Sequence, residues 1–157
     1  MLSNQEKSSS DTDSGWAATV EAALKVGAEV RPKVGGFPYL AEALRRAGVQ
    51  SIACTFPGLQ TIYRLEQGAV VHQGTPLLAP DDRLRHVPRF DEERLVAAIR
   101  ADQAGEITFW PGFVTGAWEA GVIAYDVDLD ARACTYRGLR GETYREDYRS
   151  VDLPVTG

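Results

Sequence analysis

Two periods of apolar residues alternate along this chain, and each change of period marks an element. From Trp16, the positions Val20, Ala23, Leu24, Gly27 and Ala28 step by three and four, the stripe of a helix that ends before Pro32. Residues 33–36 connect to a second helix opened by Pro38, whose missing N–H costs nothing in a first turn. Phe37, Leu40, Leu44 and Ala47 share its inner face, and Gly48 follows as a left-handed cap with Val49 placed to touch Leu44. The period then falls to two. Ile52, Cys54 and Phe56 alternate with Ser51, Ala53 and Thr55, one set apolar and the other small or polar, as in a sheet covered on one face. Pro57-Gly58 turns the chain, residues 61–66 return, and Gln67-Gly68 turns it again into residues 69–72.

The same order follows a second time. Asp91 is placed to cap a helix that runs to about Ala104, before Gly105. Trp110, Pro111, Phe113, Ala117 and Ala120 then hold the places of Phe37, Pro38, Leu40, Leu44 and Ala47, which predicts an equivalent helix. After Gly121, residues 122–129 alternate Ile123, Tyr125, Val127 and Leu129 against Ala124, Asp126 and Asp128. Residues 133–137 form the hairpin partner, and residues 142–148 an edge strand guarded by charge. Phe37-Pro38 and Trp110-Pro111, Gly48 and Gly121, Tyr63-Arg64 and Tyr136-Arg137, and Gly68 and Gly141 all lie 73 residues apart without a gap.

This pattern predicts an α+β two-layer sandwich, a mainly antiparallel sheet with helices on one face, built from two helix-helix-strand-strand repeats at about 16–72 and 89–148. A loop over residues 73–88, carrying Pro76, Pro80 and Pro88, joins them, and connections this long are usually functional or mobile. Residues 1–15 are polar with a single Leu and predict a disordered tail. Residues 16–150 then make one domain, and 151–157 a C-terminal tail.

Charge narrows the partners. A net charge of -5 argues against a nucleic-acid backbone, which needs a basic stripe, and the small arginine clusters read as solvated faces paired with nearby acids. Apolar runs fall far short of the ~20 residues of a membrane span, and no signal-peptide core is present, so the reading is a cytoplasmic protein with no membrane partner. Cys54 and Cys134 sit in strand-like runs and read as small buried hydrophobes rather than a disulfide or metal pair. No metal and no cofactor is expected.

Candidate chemistry is sparse. The chain has no Walker loop, dinucleotide fingerprint, HExxH, CxxC or nucleophile elbow. His72 and His86 bracket the proline-punctuated loop and read either as hydrogen-bonded surface residues or as catalytic or metal-binding groups, the latter needing Asp, Glu or Cys partners that only the fold could bring. Asp126 and Asp128 share one strand face; they read as a general acid and base, or as solvated groups with Asp128 ordering the turn at Asp130. Tyr63, Tyr125 and Tyr136 are either amphipathic core or hydroxyl donors to a ligand.

Gly36-Phe37-Pro38-Tyr39, Ala47-Gly48-Val49, Tyr63, Gln103-Ala104-Gly105, Phe113, Ala120-Gly121-Val122, Asp128 and Cys134-Thr135-Tyr136 together resemble the YdfO-like (YbcV-like) family of small bacterial and prophage-encoded proteins, over about residues 20–150. The resemblance implies an α+β fold of unknown function, sometimes labelled phage envelope protein. It departs from that pattern at Pro57-Gly58-Leu59 and in the N-terminal tail. The leading functional expectation is a non-catalytic accessory module, monomer or homodimer, binding a small molecule or a protein partner at the seam of the two halves. Tyr63, Tyr136 and His86 are the expected contacts, with the linker at the mouth. The alternative is an enzyme acting on a small metabolite through Tyr63, Tyr125, Asp126, His72 and His86, and a phage-derived structural role comes third.

Overall fold

The computed structural model describes residues 3–154 except 33, 34, 80 and 82, with side chains from Gly15 onward. Six strands form one sheet: β1 (Val49–Thr55), β2 (Gln60–Leu65), β3 (Ala69–Gln73), β4 (Val122–Asp128), β5 (Ala133–Gly138) and β6 (Thr143–Asp147). They lie in the order β3-β2-β1-β4-β5-β6, every neighbouring pair antiparallel. The helices are α1 (Ser3–Val30), α2 (Phe37–Arg46), α3 (Glu92–Gln103) and α4 (Val114–Glu119). The fold is α+β. α1 packs on α2 and β3, α2 on β1, α3 on α4, and α4 on β4.

Pleat alternation divides the sheet into a covered and an open face. Ile52, Cys54, Tyr63, Leu65, Val127 and Cys134 are buried beneath the helices, whereas Gln60, Ile62, Arg64, Asp128 and Arg137 are exposed on the other side. Leu44, Val49, Leu95, Val114, Val122, Val127 and Leu129 are the fully buried centre of the core. Each contributes about 1.5–3 kcal/mol by leaving water.

Correspondence at the 73-residue spacing runs through the middle of the sheet. Ala53 faces Asp126 across β1 and β4, so each lies opposite the residue that holds its own place in the other half. An irregularity falls between Val49 and Ser51 in one inner ladder and between Val122 and Ala124 in the other. Leu59 and Arg132, at matching turns, both take φ 54°. The outer ladders differ: Tyr63 pairs with Val70, but Tyr136 pairs with Tyr144, one residue beyond the matching position.

The helical layer differs more. α2 begins as expected, capped at Gly36 with proline in its first turn. The fourth helix does not copy it. Trp110 is extended (φ -121°, ψ 128°), as a residue before proline prefers, and the Phe113 N–H reaches Thr108 C=O at 2.8 Å, so a wide turn over Phe109–Phe113 precedes the short α4. α1 starts at Ser3 rather than at Trp16, because extending a formed helix adds one hydrogen bond for each residue fixed and escapes the nucleation cost. The disordered tail expected over residues 1–15 falls on residues 1 and 2, which lie outside the described residues, and on the assigned start of α1, whose side chains before Gly15 also lie outside them. Phe37, at the start of α2, meets Tyr148, just beyond β6, edge to face at 5.2 Å, so the first half's helix reaches over the second half's strands.

Candidate functional site

Cross-strand register places the expected tyrosines. On the covered face one row runs His72, Thr61, Cys54, Tyr125, Tyr136, Tyr144 across all six strands, and the next runs Val70, Tyr63, Ile52, Val127, Cys134, Glu146. Phe56, Tyr125, Tyr136 and Tyr144 form an aromatic chain with successive centroids 5.8, 6.0 and 6.4 Å apart. Tyr63 and Tyr136 are core residues, each 9% exposed. Burial, first among the causes, raises the pKa values of Tyr63, Tyr125, Tyr136 and Cys54, and pushes Cys134 up to about 12. All five groups are therefore moved away from ionising near neutrality, opposite to what a general base requires. Both cysteines are buried free thiols.

The remaining candidates are dispersed. Asp126 lies on the open face, where its carboxylate accepts a hydrogen bond from Arg137 Nε. Tyr125, next to it in sequence, faces the helices, so strand alternation sends the two side chains to opposite sides of the sheet. Asp128 accepts from the N–H groups of Asp130 and Ala131 at 3.1 and 3.0 Å and orders the β4–β5 turn. His72 is exposed on β3, and His86 is exposed in the linker, whose described residues form no helix or strand between β3 and α3. The linker is anchored where the Leu77 N–H donates to Pro57 C=O at 2.9 Å, and Asp81 binds Arg83 and Arg85 at 3.2 and 2.8 Å.

Charged groups from both halves converge elsewhere, at one end of the β1–β4 junction. A cleft of about 280 Å³ is bounded there by Arg45 at the end of α2, Gly48, Val49 and Gln50 at the start of β1, Glu66 and Gln67 in the β2–β3 turn, and Asp130 in the β4–β5 turn. Leu129 N–H donates to Gln50 C=O at 3.1 Å and ties the two halves together beside it. Gly48, at φ 96°, lets the chain turn from helix to strand in a backbone conformation that other residues rarely adopt.

The orientation of Arg45 is set from beneath. Glu42, only 7% exposed, takes Arg45 Nε and Nη2 at 2.9 and 2.8 Å and Arg46 Nε at 3.1 Å. The Arg45 hydrogen bond, supported by Arg46 and opposed by burial, holds the Glu42 carboxyl down at about 2. Glu42 shares its one negative charge between Arg45 and Arg46, and of the charged groups lining the cleft the two carboxylates of Glu66 and Asp130 outnumber the guanidinium of Arg45, so the lining is weakly acidic; neither carboxylate forms an ion pair among the described residues. The arrangement suits a cationic polar group. Sequence reasoning missed this cleft. Its one local signal is Glu42 placed three and four residues before Arg45 and Arg46, a helical ion-pair spacing; Glu66 and Asp130 join it only through the strand order.

No family model matches the chain. It is similar to uncharacterised proteins from two strains of Mycobacterium tuberculosis and one of Mycobacterium bovis, each 47% identical over 133 residues that cover 85% of this chain and 79% of the relative.

Proposed function

We propose a binding role for this chain, which belongs to the same family as those mycobacterial proteins: a non-catalytic accessory module that receives a basic group of a protein partner in the acidic cleft at the end of the β1–β4 junction. The observation carrying this reading is the convergence of Arg45, Glu66 and Asp130 from three separate segments, two in the first half and one in the second. It keeps the binding at the junction of the halves but exchanges Tyr63, Tyr136 and His86 for a charged lining. An acid–base enzyme would need its groups in one place, and Tyr125 and Asp126 occupy opposite faces. No described helix is long and apolar enough to cross a membrane. Two buried free thiols suit a reducing compartment and support the reading of a cytoplasmic module.

The test is an amide chemical-shift titration of the full chain with a tri-lysine peptide. Shifts at Gly48, Gln50, Gln67 and Asp130, weakened about fivefold or more in a Glu66→Gln, Asp130→Asn double variant of unchanged melting temperature, support the reading. Shifts scattered over the acidic surface, or equal in both proteins, overturn it.

A further inference from the structure

We infer that β3 is a self-pairing edge through which two copies of this chain join their sheets into one. This goes beyond the cleft and does not depend on it. The pairing of β3 with β2 shows which of its main-chain groups are free. Leu65 N–H donates to Gly68 C=O and Gly74 N–H to Leu59 C=O, so the hydrogen-bonded pairs between these two ends are Tyr63 with Val70 and Thr61 with His72. The N–H and C=O groups of Ala69, Val71 and Gln73 therefore point away from β2. Among the described residues no main-chain group bonds to them. Such a row is a template for another strand.

The occupant follows from side-chain chemistry. Ala69-Val70-Val71-His72-Gln73 carries no carboxylate, ammonium or guanidinium, and all of it except Val70 is exposed. Antiparallel pairing of two copies about Val71 sets Val71 against Val71 and Ala69 against Gln73, each a pair that exchanges two hydrogen bonds, with no like charges opposed. Val71 is 63% exposed and Ile62, paired with it across β2, is 41% exposed, so the join continues an apolar strip from one copy to the next. The other edge, β6, is guarded by charge. Gly138 N–H donates to Glu142 C=O, which turns Thr143, Arg145 and Asp147 outward, and self-pairing about Arg145 would oppose two guanidiniums. One permissive edge and one guarded edge give a closed dimer rather than a fibre.

Sedimentation equilibrium of the full chain across a dilution series tests this. The expected result is a monomer–dimer equilibrium for the natural sequence, with Val71→Lys and Val71→Glu each weakening dimerisation at least about tenfold while keeping the native circular-dichroism spectrum. An equimolar mixture of the two variants should dimerise again, since lysine then faces glutamate; this rescue separates edge pairing from damage to the fold. A natural chain that stays monomeric throughout, a dimer indifferent to both variants, or a mixture without rescue overturns the inference.

Discussion

Gly48 and Gly121 hold the same place in the two halves, each following a helix and opening a central strand, at φ 96° and 86°. Their surroundings are unlike. Nothing lies within 4 Å of where a Cβ on Gly48 would stand, whereas a Cβ on Gly121 would come within 2.5 Å of the Arg89 carbonyl group and the Phe90 nitrogen. The second half folds the entry of α3 down onto its own cap, with Asp91 N–H donating to Ala120 C=O at 2.8 Å. In the first half the corresponding segment lies inside the long α1, and Trp16 packs on Gly68 instead. One local signal, a glycine cap, thus serves two packing arrangements. The backbone conformation is common to both positions; the steric demand is not.

Substitution at these two sites should separate the contributions. Gly121→Ala combines the about 1–2 kcal/mol of a left-handed L-residue with displacement of a neighbouring backbone that no rotamer change relieves, so a loss of about 3 kcal/mol or more is expected in urea unfolding. Gly48→Ala should lose only the first part, about 1–2 kcal/mol. Equal losses at the two positions would break the comparison and show that the Arg89–Phe90 segment yields freely.

A smaller contrast distinguishes Glu42 from Thr115, its counterpart 73 residues on. Glu42 is buried and held by two arginines, with its carboxyl lowered to about 2. Between that value and the ordinary carboxylate range the unfolded chain binds the extra proton, so stability falls as pH falls through this window and the contribution is complete above it. Both guanidiniums are substantially exposed, at 39% and 51%, which limits the pair to about 1 kcal/mol. Melting curves of the natural chain and Glu42→Gln should differ most near neutrality and converge toward pH 2. A difference that does not change with pH would assign the effect of Glu42→Gln to packing.

What could be anticipated from the chain, and what could not, follows the range of the interactions. Strands β1, β2, β4 and β5, the caps at Gly48, Gly121 and Asp91, and the turn-ordering carboxylate of Asp128 depend on residues a few positions apart, and they are where alternation and turn chemistry place them. The wide turn before α4 was hidden because Trp110-Pro111 matches Phe37-Pro38 in letters while the residue before the proline adopts an extended backbone in one and a helical one in the other. The acidic cleft was hidden for a different reason. Gln50, Glu66 and Asp130 are surface polar residues on their own, and only the order β2-β1-β4-β5 assembles them around Arg45.

The smallest effect concerns the paired tyrosines. Tyr63 and Tyr136 lie on the covered face with equal exposure, 9% each, yet in different company: Tyr136 stands between the Tyr125 and Tyr144 rings with Phe113 6.1 Å away, while Tyr63 stands between Ile52 and Val70. Among the described residues no buried side-chain oxygen or nitrogen lacks a partner, so neither hydroxyl is stranded. Tyr63→Phe and Tyr136→Phe each keep the ring and remove a group that is not holding the core, and each should change stability by less than about 0.5 kcal/mol in thermal melts. Truncation to alanine would tell them apart, because it removes the aromatic contacts that Tyr136 makes on three sides and that Tyr63 lacks. If Tyr136→Phe alone costs more than about 1 kcal/mol, its hydroxyl holds a buried hydrogen bond that Tyr63 does not, and the difference between the halves extends from their caps into the middle of the sheet.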